Sequence, residues 1–143
     1  MRDNALFYTC SLIEYIGRKK CRTRDDVVDK LGAERLNRIY RDSDVLHCEP
    51  IDKISDEYTH IAGIRKGKFD NISVCRYAVP DYWDIGDVYS RLITDVGDGD
   101  VIKSLIDVYH SKLSEEIQHF NSALYYQSRD YLAECYREEM SER

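Results

Sequence analysis

Apolar residues recur every three or four positions along almost the whole chain, and a stripe with that period can be buried only by an α-helix. Over residues 5–20, Leu6, Thr9, Leu12, Ile13 and Ile16 share one face. A short helix follows, capped by Thr23 and closed at Gly32, with Asp25 and Asp26 in its first turn. Residues 33–46 carry Leu36, Ile39, Tyr40 and Ser43 on one side, a stripe that His47 extends as a semi-buried histidine. Pro50 opens a helix with Ile51, Ile54, Tyr58 and Ile61 inward, and Gly63 stops it. Asp81 caps a fifth helix to about Val96, with Tyr82, Ile85, Tyr89, Leu92, Ile93 and Val96 inward. The longest stripe runs from Ile102 through Leu105, Ile106, Tyr109, Leu113, Ile117 and Phe120 to Leu124, and predicts one helix over residues 100–126. A last helix covers residues 129–140.

Residues 64–80 break the pattern. Arg65-Lys66-Gly67-Lys68 is a basic turn, and Asp70 can cap a short helix to about Tyr77. The alternation of Ile72 with Val74 and of Tyr77 with Val79 also permits a strand. A lone strand has nothing to pair with, so helix is favoured. The expected fold is a single all-α domain over residues 1–143, a bundle of six or seven helices around a long sixth helix. No substantial sheet is expected, and residues 140–143 should fray.

The charge is unevenly distributed. Residues 1–80 hold 15 Lys and Arg against 13 Asp and Glu, a balance of +2, whereas residues 81–143 hold 6 against 14, a balance of −8. An acidic chain is a poor general binder of nucleic acid, but the asymmetry would favour head-to-tail self-association. The five cysteines form no C-x-x-C pair, and no signal-peptide pattern precedes them. Reduced thiols and a cytoplasmic location are the expectation. The apolar runs fall short of the ~20 residues of a membrane span, so no membrane partner is expected.

Twelve of the 143 residues are tyrosine, a side chain suited to seams and contact surfaces. Tyr77, Tyr82, Trp83 and Tyr89 lie in the densest aromatic stretch, and Trp83, the only tryptophan, falls at the edge of the helix's apolar face. These four are the candidate partner-binding residues. Equally open is that Trp83 packs under the basic turn at 65–68 in a cation–π contact. The basic run Arg18, Lys19, Lys20, Arg22 and Arg24, beside the αα-hairpin of residues 24–47, offers a weak DNA-binding alternative, although Asp25, Asp26 and Asp29 crowd the same entry. Asp95, Asp98 and Asp100 lack calcium-loop spacing and read as helix punctuation, and no His or Cys pair has metal-ligand spacing. No cofactor or metal is expected.

Two resemblances bear on function. Arg41 and His47 have five residues between them, which is similar to the Arg/His spacing of the helical HEPN ribonucleases. That resemblance implies a metal-independent ribonuclease in which two such pairs meet in a dimer. Separately, Cys10-Ser11-Leu12-Ile13-Glu14-Tyr15, Asp25-Asp26-Val27-Val28, Asp44-Val45-Leu46-His47 and Ile51-Asp52-Lys53-Ile54 resemble a family of short helical bacterial proteins of unknown function. These are often encoded beside ADP-ribosyltransferase-like toxins. The second resemblance covers under half of the chain and implies an antitoxin-like or regulatory partner of a toxin-like protein. The expected function is therefore a non-enzymatic protein-interaction module that binds another protein or a second copy of itself. Ribonuclease and weak DNA-binding regulator stand as alternatives.

Overall fold

A computed structural model of the chain describes residues 3–143. The fold is all-α. Its helices are α1 (Asn4–Lys20), α2 (Arg24–Arg41), α3 (Ser43–Leu46), α4 (Ile51–Ala62), α5 (Tyr82–Val96), α6 (Val101–Tyr109), α7 (Lys112–Gln118) and α8 (Arg129–Ser141). Two 3₁₀ turns, Phe120–Ser122 and Leu124–Tyr126, separate α7 from α8. The described residues contain no strand, and none of their helices is long and apolar enough to cross a membrane.

The central element is α1, whose Leu6, Leu12, Ile13 and Ile16 are wholly enclosed. Its broadest neighbour is α5, and α2 lies along another side. The α1–α5 contact is close because α5 has Gly86 where it crosses Ser11. A Cβ added there would stand 2.8 Å from both the backbone nitrogen and the Cα of Ser11. One continuous core takes side chains from α1, α2, α4, α5, α6, α7 and α8.

The long sixth helix is not formed. The chain turns extended at Ser111 (φ −76°, ψ 158°), and the Ser111 hydroxyl caps α7 by accepting from Ser114 N at 3.1 Å. Glu139 of α8 accepts from the backbone N–H groups of Lys112 and Leu113, both at 2.9 Å. These three acceptors satisfy donors that a continuous helix would have paired internally, so the break is tolerated. Periodicity survives it because Leu113, Ile117 and Phe120 remain buried.

Other expectations need correction. In the hairpin at 24–47 the expected break at Gly32 is present (φ 79°, ψ 160°), but the second helix ends at Arg41 and not near residue 46, with α3 as a separate turn. Thr23 holds the cap position of α2, but its side chain makes no capping bond; Gln118 Oε1 accepts from Arg24 N at 2.9 Å instead. Ile61 points outward at 59% exposure; Gly63 turns the chain left-handed, and Ile64 just beyond it is the buried residue at this end of α4. Asp70 does cap, accepting from Ile72 N and Ser73 N, yet only a single turn follows and no helix forms over 70–77. Residues 140 and 141 still belong to α8.

The irregular segment 63–81 is fastened by hydrogen bonds in place of secondary structure. Gly67 N and Phe69 N donate to Lys20 O and Cys21 O at 2.8 and 2.9 Å. Asn71 is buried and donates to Gln118 O, while Asn121 receives Arg76 N and donates to Val74 O. At the far end, Arg18 donates to Pro80 O at 2.7 Å.

Candidate functional site

The basic run folds mostly into the structure. Arg24 is 0% exposed and Glu14 is 1% exposed. They meet in a two-pronged ion pair, with Arg24 Nε on Glu14 Oε1 and Nη2 on Oε2, both at 2.8 Å. Arg24 also donates to Arg22 O and Asn71 Oδ1. Arg18 reaches the same carboxylate from the edge at 2.8 Å. Burial pushes the Glu14 carboxyl up, but Arg24 and Arg18 together outweigh it and hold the group below its usual value. Lys19 pairs with Asp52 and Asp56, and Arg22 with Asp26 and Arg65 O. Of the five cations, only the Lys20 side chain has no hydrogen-bond partner among the described residues. Arg24 cannot meet DNA, and the remaining guanidinium groups are committed to neighbours.

The four aromatic candidates do not share a patch. Tyr89 is wholly buried, stacked on Tyr109 at 4.2 Å and 9°, with its hydroxyl 2.7 Å from Ser114 Oγ. It is a core residue, and burial raises its phenol above the ordinary range. Tyr82 is half-buried and meets Tyr15 edge-on at 5.0 Å. Trp83 is half-buried among rings from α1 and the end of α3, with Phe7 at 5.5 Å and His47 at 5.4 Å. No cation from the turn at 65–68 stands over it. Tyr77 alone is well exposed, at 63%.

Arg41 and His47 are both exposed. His47 was expected to be semi-buried. One turn of α3 intervenes instead of a continued α2, which carries the imidazole outward to lie against Tyr8 (5.2 Å) and Trp83. The Arg41 guanidinium turns to its neighbour Asp42 at 3.5 Å. His47 lines a surface hollow with Phe7, Tyr8 and Cys48, and Arg41 is not part of it. Among the aspartates near Gly97, Asp95 receives two bonds from Arg129 at 2.7 and 2.8 Å, and Asp100 caps α6.

A different site emerges between residues 78–80, α5, the second 3₁₀ turn and α8. It is an open groove of about 590 Å³. Val79, Val88, Leu92, Tyr125 and Leu132 supply its apolar surface. Its charged groups are Asp84, Asp87, Arg91 and Arg129. Arg91 pairs with Asp87 at 3.0 Å, and Arg129 with Asp95. Asp84 is exposed and has no hydrogen-bond or ion-pair partner among the described residues. At the lips, Val79 is 40% and Tyr126 83% exposed, and Tyr77 precedes the first lip in the chain.

The groove exists because two neighbours are held rigidly. Arg18 fixes Pro80, and Asn121 fixes the backbone at Val74 and Arg76. On the other side, Ala123 takes a left-handed conformation (φ 57°) that swings Leu124–Tyr126 out of the helical path. The sequence did carry a signal for this. Tyr125 and Tyr126 are adjacent, so a helix could not turn both inward, and Ser128, two residues beyond them, caps α8 by accepting from Tyr131 N. Compared with known proteins, the chain matches no family model, no curated protein and no solved structure.

Proposed function

We propose that this chain is a protein-interaction module and that the groove beside Pro80 is its contact surface. The observation that carries this reading is the gathering of exposed Val79 and Tyr126 around a groove with an apolar floor, in a fold where most of the other candidate residues are committed to internal contacts. Tyrosine anchors contribute large contact area at low entropic cost, and energetic hot spots cluster where they enter a partner's pocket. The rigid lips support the same reading, since preformed surfaces bind without an ordering penalty. An antitoxin-like or regulatory role toward a toxin-like protein follows from the resemblance of the first sixty residues and belongs to this proposal.

The test is a comparative capture. Wild-type chain and the variants Tyr126→Ala and Val79→Asp are immobilised, exposed to native lysate, and the bound proteins quantified by mass spectrometry. A true partner is retained by wild type and lost by both variants, whose melting temperatures stay near wild type. Truncating an anchor costs about 2 kcal/mol, which is roughly a thirtyfold loss of affinity. Equal capture by all three proteins would remove the groove from consideration.

A further inference from the structure

What the groove holds can be read from its first lip, an inference that rests on the groove being a contact surface. The charged lining is balanced, Asp84 and Asp87 against Arg91 and Arg129, so it asks for no net charge in an occupant. The lip is more specific. Beyond a bend at Tyr77, Ala78 and Val79 are exposed and belong to no helix. Their N–H and C=O groups have no hydrogen-bond partner among the described residues. Pro80 favours extended backbone at Val79 before it, and Asp81 is extended at φ −64°, ψ 151°. The stretch is pinned at both ends, by Asn121 Oδ1 accepting from Arg76 N at 2.8 Å and by Arg18 donating to Pro80 O at 2.7 Å. The described residues contain no strand that could pair with it. A fixed backbone thus offers donors and acceptors beside an apolar floor, with no ladder of its own.

We propose that the groove takes an extended peptide segment of a partner protein, which pairs its main chain with Ala78 and Val79 and turns an apolar side chain onto Val88, Leu92 and Leu132. The match is one of partial charges. An extended backbone carries the same unpaired donors and acceptors as the lip, whereas a helix has already paired its own. Main-chain bonds of this kind give affinity, and a pocket for alternate side chains gives specificity. Two paired strands alone are marginal in water, so the apolar floor is needed as well. At about 590 Å³ the groove lies within the ~300–1,000 Å³ range of ligand sites.

The probe is a phage-displayed library of short random peptides, selected on the immobilised full chain. Selected peptides should share an apolar residue and lose binding to Tyr126→Ala. Synthesised with single N-methyl groups along the backbone, they should weaken at one or more positions. On the protein side, Ala78→Pro and Val79→Pro each delete one lip donor, while Val79→Ala keeps it. Every main-chain bond lost should weaken binding roughly two- to tenfold. Hydrogen exchange should show the amide of Ala78 or Val79 gaining protection when peptide binds, a readout that stands even if a proline variant fails to fold. The proposal is overturned if no peptide is selected, if affinity ignores every N-methyl group, or if both amides stay unprotected. It is also overturned if their protection rises with the concentration of the chain alone, which would assign the lip to a second copy. None of these results removes the groove as a contact surface, which is lost only if Tyr126→Ala and Val79→Asp retain every captured protein.

Discussion

Replacing Arg24 by alanine should be among the most damaging single changes in this protein, and the structure says why. The guanidinium is wholly enclosed, donates to both Glu14 oxygens at 2.8 Å, and also reaches Asn71 and Arg22 O. Removing one member of such a pair leaves a buried charge without its counter-ion, at a cost of about 3–5 kcal/mol. Arg18 would still hold Glu14 Oε2 at 2.8 Å, which places the loss toward the lower end of that range. At roughly 3 °C per kcal/mol for a chain of this size, the melting temperature falls by about 9–12 °C. Removing both charges is different. Glu14→Leu combined with Arg24→Met deletes the desolvation penalty with the attraction, and such swaps are often neutral. The double variant should recover most of the loss.

The pH dependence has a definite sign. Glu14 is held below its unfolded value, so its contribution is present above the unfolded pKa, roughly 4.3, and is lost as pH falls through the lower folded value. Urea titrations at pH 7 and in steps below pH 4, followed by Trp83 fluorescence, read both effects. The acid-induced loss should be smaller in the double variant than in wild type. A cost under about 1 kcal/mol for Arg24→Ala, a value ordinary for a surface ion pair, would refute the account of this pair as an enclosed latch.

Two further substitutions probe the packing. Gly86→Ala should destabilise by about 1–3 kcal/mol, the usual cost of overpacking, because its Cβ meets Ser11 backbone that cannot rotate away; alanine's better helix propensity works the other way, so a stabilised variant in thermal melts would show that α1 and α5 can separate freely. Trp83→Ala should cost about 2 kcal/mol, less than the ~3–5 of a fully enclosed ring, and should leave capture of any groove partner intact. An unchanged melting temperature with capture lost would move the contact surface to Trp83.

Helix class was legible because it needs only local information. The stripes of α1 and α5 survive as buried faces, and Asp81 and Asp100 cap the helices they were expected to start. What was not legible depended on partners distant in sequence. The break at Ser111 is supported by Glu139, and the Thr23 cap is replaced by Gln118 from 94 residues away in number from Arg24. Nothing in the local pattern of Arg18–Arg24 separates a solvated basic run from one that plunges inward. The difference lies in Glu14, placed one face of α1 away, and in Gly17, whose missing side chain makes room for the Arg24 stem.

That same latch ties the core to the proposed contact surface. Glu14 accepts from Arg24 on its buried side and from Arg18 on the outer side, and Arg18 continues to Pro80 O at the groove's lip. Arg24 also reaches Asn71, which anchors the middle of the irregular segment on Gln118. Segment 63–81 is thus held by side chains whose positions are set by α1, α2 and α7, and a loop of that length without its own secondary structure is commonly a functional one. Through Arg18, one buried carboxylate bears on the lip at Pro80, beside the separate Asn121 bonds to Val74 and Arg76. Glu14→Gln, which keeps the shape but weakens both charge-assisted bonds, should therefore loosen residues 74–80 in hydrogen exchange before the helices respond. If the helical amides and the loop amides lose protection together, the loop has no independent latch and the groove is simply part of the core's cooperative unit.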